Sequence, residues 1–130
     1  MNPNAVLNSS EPRYRVLLVD DNEKVLKVFR LKLKASGHEV ITAANGQDAI
    51  TLVKSEKPDI MVMDVVMPGM SGLEALKAVR TFSELPVIVI SARTDNADKA
   101  LSLGANSFLS KPFNPDELVK RIQAILDHKR

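Results

Sequence analysis

The chain repeats one phrase: a short aliphatic or β-branched run, a turn containing Asp, Asn, Gly or Ser, then an amphipathic stretch. Strands are predicted at Arg15 to Val19, Glu39 to Thr42, Asp59 to Met63, Val87 to Ile90 and Ser107 to Leu109. Several of these runs are apolar throughout, the pattern of a strand covered on both faces. Helical patterns run at about Glu23 to Ser36, Gln47 to Glu56, Leu73 to Phe82, Asn96 to Leu103 and Asp116 to His128. In the first of them Val25, Phe29 and Leu33 show the i, i+4, i+8 spacing of one buried stripe. Strands and helices alternating in this way predict an α/β fold, a parallel sheet with helices on both sides.

Local signals mark the helix ends. Ser71 followed by Glu74 fits a capping box, and Asn114, Pro115, Asp116 and Glu117 supply a cap, a first-turn proline and two acids suited to a positive helix end. Gly37 and Gly104 each follow a helical stretch, where a left-handed residue closes the last turn. Residues 1–13 read as a loose tail and residues 14–130 as one domain.

Composition narrows the function classes. With no cysteine, the chain cannot carry a disulfide framework, a thiol nucleophile, a thiolate zinc site or an iron–sulfur cluster, and it suits a reducing cytosol. Eighteen Lys and Arg against sixteen Asp and Glu leave a formal charge of +2, too small and dispersed to mark a nucleic-acid surface. No apolar run approaches the roughly 20 residues that span a bilayer, and the polar start lacks the apolar centre of a secretory signal. The expectation is a cytoplasmic protein without a membrane partner.

Ligands of open parallel sheets bind beyond the carboxyl ends of the strands. There the sequence places Asp20 and Asp21 after the first run, Asp64 after the third, Ser91 after the fourth, and Lys111 followed by Pro112 after the fifth. An Asp-Asp pair commonly does no more than cap a helix, and a lone Ser or Lys at a strand end is commonly a surface group. All five in order at separate strand ends are a different matter. Three neighbouring carboxylates repel one another, and a hard cation with oxygen ligands, Mg²⁺ foremost, relieves that repulsion. A carboxylate beside the metal could attack phosphorus to give an aspartyl phosphate, with Lys111 and the Ser91 hydroxyl on the transferred oxygens.

These residues resemble the receiver domains of two-component response regulators. The likeness covers Tyr14 to Leu126 and rests on Val16 to Asp21, Pro58 to Asp64, Met67 to Gly72, Pro86 to Ala92 and Gly104 to Phe113, in that order and spacing. It implies a doubly wound, flavodoxin-like sheet with strand order 2-1-3-4-5. It also implies that Asp64 is the phosphoacceptor, that Asp21 and the Val66 carbonyl ligate Mg²⁺ with Asp64, and that Asp20 helps through water. Lys111 would contact the phosphoryl oxygens, with the bond to Pro112 cis. Ser91 and Phe108 stand at the switch positions, where the family moves a hydroxyl toward the phosphate and turns an aromatic inward. The surface of the fourth helix, fifth strand and fifth helix is remodelled in consequence.

The implied partners are a histidine kinase or histidine phosphotransfer protein, an output domain or partner protein on that surface, and a phosphorylation-dependent homodimer. The subgroup with winged-helix output domains carries acidic residues before the switch aromatic that pair across a dimer, where this chain has Asn106 and Ser107; Glu117 and Arg121 match its pattern, and with half of the charge set missing that subgroup's dimer is not assumed. Val66 and Arg93 fall where the family tunes phosphoryl loss. An apolar Val66 cannot orient an attacking water, which implies a persistent phosphoryl state.

Other readings predict features that the chain lacks. A Mg²⁺-dependent phosphohydrolase of the aspartyl-phosphate type favours a general acid two residues after the nucleophile, where Val66 stands, and a cap domain for which the chain is short. A pseudo-receiver would have lost one of Asp20, Asp21, Asp64 or Lys111. A nucleotide-binding domain would show a Gly-rich loop after the first strand. The expectation is therefore a switch that assists only its own phosphorylation and dephosphorylation, not a metabolic enzyme. Met61, Met63, Met67 and Met70 read as packing rather than a soft-metal box, and His38 and His128 receive no role.

Overall fold

A computed structural model describes residues 14–129; the expected tail, residues 1–13, and Arg130 lie outside the described residues. Five strands and five helices alternate: β1 Arg15–Val19, α1 Glu23–Ala35, β2 Glu39–Ala43, α2 Gly46–Glu56, β3 Ile60–Asp64, α3 Gly72–Arg80, β4 Val87–Ser91, α4 Asn96–Ser102, β5 Ser107–Ser110 and α5 Pro115–Lys129. The sheet is parallel throughout with the order β2-β1-β3-β4-β5, as the resemblance implies.

Alternation along the strands divides the core. Val16, Leu18, Ile60, Val62, Ile88, Ile90 and Leu109 face Leu33 of α1 and Leu118, Ile122 and Leu126 of α5. Their neighbours Leu17, Val19, Met61, Met63, Val87 and Val89 face Ala49 and Val53 of α2, Ala75, Leu76 and Val79 of α3, and Ala100 of α4. Met67 is buried in this second layer and Met70 packs against it, so all four methionines serve packing. The small residues at Ala49, Ala75 and Ala100 let three helices approach the sheet closely.

Four strands run one residue further than the hydrophobic pattern predicts. In β3, β4 and β5 the added residue is polar, and a polar side chain ends an apolar run without ending backbone pairing: Asp64 pairs with Ile90 and Ser91 with Ser110, while in β2 the added Ala43 pairs with Val19. Asp64 and Ser91 are thus held by the sheet itself. At its start β3 is a residue shorter than predicted, because the Asp59 carboxylate turns to accept the Arg15 N–H at 2.7 Å. The capping box at Ser71 forms in both directions, with Ser71 N donating to Glu74 Oε1 at 2.9 Å and Glu74 N to Ser71 Oγ at 3.2 Å. Gly37 and Gly104 take φ of +93° and +104°, and Lys57 closes α2 at φ 48° where the sequence offers no glycine.

His38, at the end of the sheet away from the strand carboxyl termini, is buried and stacks on Tyr14 with ring centroids 5.6 Å apart. Among the described residues neither imidazole nitrogen has a hydrogen-bond partner, and burial holds the group below its ordinary value against the opposing pull of Asp127. The unfolded chain therefore binds a proton that the folded one resists. Stability is expected to be full above about pH 6.5 and to fall as the pH drops below it. Urea unfolding between pH 8 and pH 5 should show that slope, and His38→Phe should flatten it.

Candidate phosphoryl and metal site

β1 ends at Val19, and the chain turns so that the Asp20 N–H donates to the Ala43 carbonyl at 3.1 Å. Asp20 is buried and its Oδ1 accepts the Asn22 N–H at 2.9 Å. Asn22 in turn caps α1, its Oδ1 accepting from Lys24 N and Val25 N at 2.9 and 3.2 Å. The first acid and the helix behind it are thus one hydrogen-bonded unit. Asp21, next in the chain, is exposed.

Asp64 ends the neighbouring strand and is 7% exposed. Its Oδ2 takes the Lys111 ammonium at 3.0 Å, while among the described residues Oδ1 has only a long 3.4 Å contact from Val66 N. Carboxylate oxygens of Asp20, Asp21 and Asp64 lie within 4.8 Å of one another. The structure therefore brings together four of the residues that the sequence singles out. The Lys111–Pro112 bond is cis, as the resemblance implies.

Ser91 is buried at the end of β4, its Oγ accepting from Arg93 N and from Asn96 Nδ2, both at 3.0 Å. Phe108 is half-buried against the core layer beneath α2 to α4, and its carbonyl accepts from Arg121 at 3.2 Å. The Val66 side chain stands out from the surface, with the residue 67% exposed.

Burial is the chief cause that holds the Asp20 carboxyl above its ordinary value; the Asn22 N–H opposes it and the Asp64 charge adds to it. This raised acid costs stability at neutral pH, a cost relieved as the pH falls toward 3.8, where the unfolded chain also takes up its proton. Asp20→Asn keeps the acceptor for Asn22 and removes one of three mutually repelling charges. It is expected to raise the urea midpoint of the metal-free protein, and a divalent cation should narrow the gap by stabilising the native protein.

Three hard oxygen donors so close, one of them burdened by its neighbour's charge, fit a hard divalent cation. Sequence reasoning missed two contributors. Asn96 reads there only as a helix start, yet its amide is buried on the Ser91 hydroxyl. Gly72, noted only within a motif, packs so tightly that a Cβ on it would lie 2.2 Å from the Asp64 carbonyl oxygen.

Comparison with known proteins agrees with the resemblance. A family model described as the response regulator receiver domain matches residues 16–123. The transcriptional regulatory protein KdpE of Mycobacterium tuberculosis is 40% identical over 111 residues, covering 84% of this chain and 49% of the relative. The alkaline phosphatase synthesis transcriptional regulatory protein PhoP of Bacillus subtilis is 37% identical over 115 residues, covering 86% and 48%. The chain spans about half the length of these relatives. Among solved structures, the Francisella response regulator 1452 receiver domain superposes with a TM-score of 0.85 at 31% identity, over 90% of this chain and 99% of that one. The chemotaxis response regulator CheY4 of Vibrio cholerae gives 0.82 at 34% identity, over 88% and 100%.

Proposed function

Because the chain belongs to the response regulator receiver domain family, we propose that it is a phosphorylation-operated switch whose Asp64 takes a phosphoryl group from a histidine kinase or histidine phosphotransfer protein. The observation that carries this reading is the Asp64 carboxylate, one oxygen on Lys111 at 3.0 Å and the carboxylates of Asp20 and Asp21 within 4.8 Å. Oδ1, the less engaged oxygen, forms the new bond to phosphorus. The bond from phosphorus to the donor's imidazole nitrogen breaks, and the imidazole leaves with its electron pair. The Lys111 ammonium offsets charge on the transferred oxygens, and the Ser91 hydroxyl donates to one of them. Asp20, Asp21, Asp64 and the Val66 carbonyl would hold Mg²⁺, which when bound neutralises negative charge on the phosphoryl oxygens.

The product is an altered surface, not a released metabolite, so the domain assists only its own phosphorylation and dephosphorylation. Ser91 begins the turn into α4 and Phe108 lies in β5, so movement at either would be read on the face made by α4, β5 and α5. An output domain or partner protein docks there, in the cytoplasm. The relatives of about twice the length are named as transcriptional regulators, and such an output would lie beyond residues 14–130, the receiver proper. Within the chain Arg121 is engaged by Glu117 at 3.2 Å and Ser107 at 2.7 Å, and Asn106 accepts Val87 N at 2.9 Å. A phosphorylation-dependent homodimer using Arg121 would have to release its bonds to Glu117 and Ser107. The exposed, apolar Val66 offers no hydrogen bond to water, which favours a persistent phosphoryl state.

Intact mass after incubation with acetyl phosphate tests the reading. A gain of one phosphoryl group that requires Mg²⁺ is expected; no gain with the protein folded, together with no release of inorganic phosphate, would sink it.

A further inference from the structure

The Ser91 hydroxyl is more constrained than its switch role requires. Its oxygen accepts the Arg93 N–H and the Asn96 Nδ2–H, both at 3.0 Å. A hydroxyl has two lone pairs and one proton. With both lone pairs taken, the proton is left to the remaining tetrahedral direction, and the group acts as a donor alone. Donors whose orientation is fixed in advance are what a developing or bound oxyanion rewards.

Asn96 is built into this arrangement. The residue is only 8% exposed, so its amide is not a surface group that happens to lie nearby. It is also the first residue of α4, where the preceding Asp95 makes no side-chain cap and instead pairs with Arg93 at 2.9 and 3.2 Å. One side chain thus links the hydroxyl to the start of the helix.

We infer that Asn96 is a positioning residue for phosphoryl binding: its amide fixes the Ser91 hydroxyl as a dedicated donor and ties the site to the first residue of α4. This rests on the reading of Asp64 as the phosphoacceptor. The competing account is that Asn96 merely satisfies buried polar atoms. The two differ in what Asn96 does once Ser91 is gone. A positioning role acts only through the hydroxyl, whereas a structural role persists without it.

Beryllofluoride, a phosphoryl mimic, can be titrated calorimetrically in the presence of Mg²⁺ into the native chain, Asn96→Ala, Ser91→Ala and the double variant. Asn96→Ala should weaken binding about 3- to 10-fold, the range for loss of one oriented hydrogen bond, and should add nothing in the Ser91→Ala background. Asn96→Asp keeps the size but accepts where the amide donates, so it should weaken binding at least as much. Urea unfolding establishes that each variant is folded, and Asn96→Asp carries the test if Asn96→Ala is not. Equal weakening in both backgrounds, unchanged binding in Asn96→Ala, or native affinity in Asn96→Asp would overturn the inference. Failure of the native chain itself to bind would overturn the reading of Asp64, and this inference with it.

Discussion

Asp64→Asn is expected to abolish phosphoryl uptake from acetyl phosphate and Mg²⁺ under conditions that fully modify the native chain. An amide oxygen has too little charge to attack phosphorus, and the amide nitrogen's lone pair is delocalised. The residue also ends β3, paired with Ile90, and Asn preserves both its size and its backbone bonds. Lys111 would lose a charged partner held at 3.0 Å, but Asp20 would lose a repelling neighbour. These opposed effects leave the fold standing, so loss of the adduct would report chemistry and not unfolding. Intact mass alongside urea unfolding checks both halves, and a full adduct on Asp64→Asn would mean that another side chain is the acceptor.

Gly72→Ala is expected to be the most damaging small substitution near the site. The added Cβ would lie 2.2 Å from the Asp64 carbonyl oxygen and 2.9 Å from the Val65 Cα, both backbone atoms that cannot swing aside. The Gly72 N–H also donates to the Val65 carbonyl at 2.8 Å, which draws the start of α3 onto the end of β3. Relief requires moving the helix or the strand, at a cost of about 1–3 kcal/mol or more. Gly37→Ala provides the contrast: a Cβ there meets nothing within 4 Å, so only the φ of +93° opposes it. That variant should lose about 1 kcal/mol. Urea unfolding ranks the two, and the prediction fails if Gly72→Ala is the more stable. A shifted β3 end should also weaken metal binding in Gly72→Ala but not in Gly37→Ala.

Most of the architecture is legible in the chain because strands covered on both faces must be apolar throughout, and runs such as Val87 to Ile90 have no other reading as plain. The charged half of the site is legible for a related reason: acids and a lysine at successive strand ends interrupt those runs conspicuously. What escapes notice is set by packing. Asp64 and Ser91 look like loop residues because hydropathy records side chains, while strand pairing is a property of the backbone. Gly46, just before the predicted helix, is the first residue of α2 and is buried, and a Cβ on it would lie 3.1 Å from Met70 Cγ. His38 carries no mark of its stack on Tyr14, since the two are brought together only by the sheet. Asn96 has the same helix-starting appearance whether or not its amide meets a hydroxyl.

All neighbouring strands are parallel, so no pairing in the sheet is made by a hairpin and every one spans a helix. Parallel pairing is slow to form because distant segments must be closed before any contact rewards them. Asp20 and Asp64 meet only when β1 and β3 pair, and Lys111 joins only when β5 closes the edge. No proteolytic or synthetic fragment shorter than the span from Asp20 to Lys111 can contain the assembled charges. On the proposed reading, a chain still emerging from the ribosome could take up no phosphoryl group until almost the whole domain had been made.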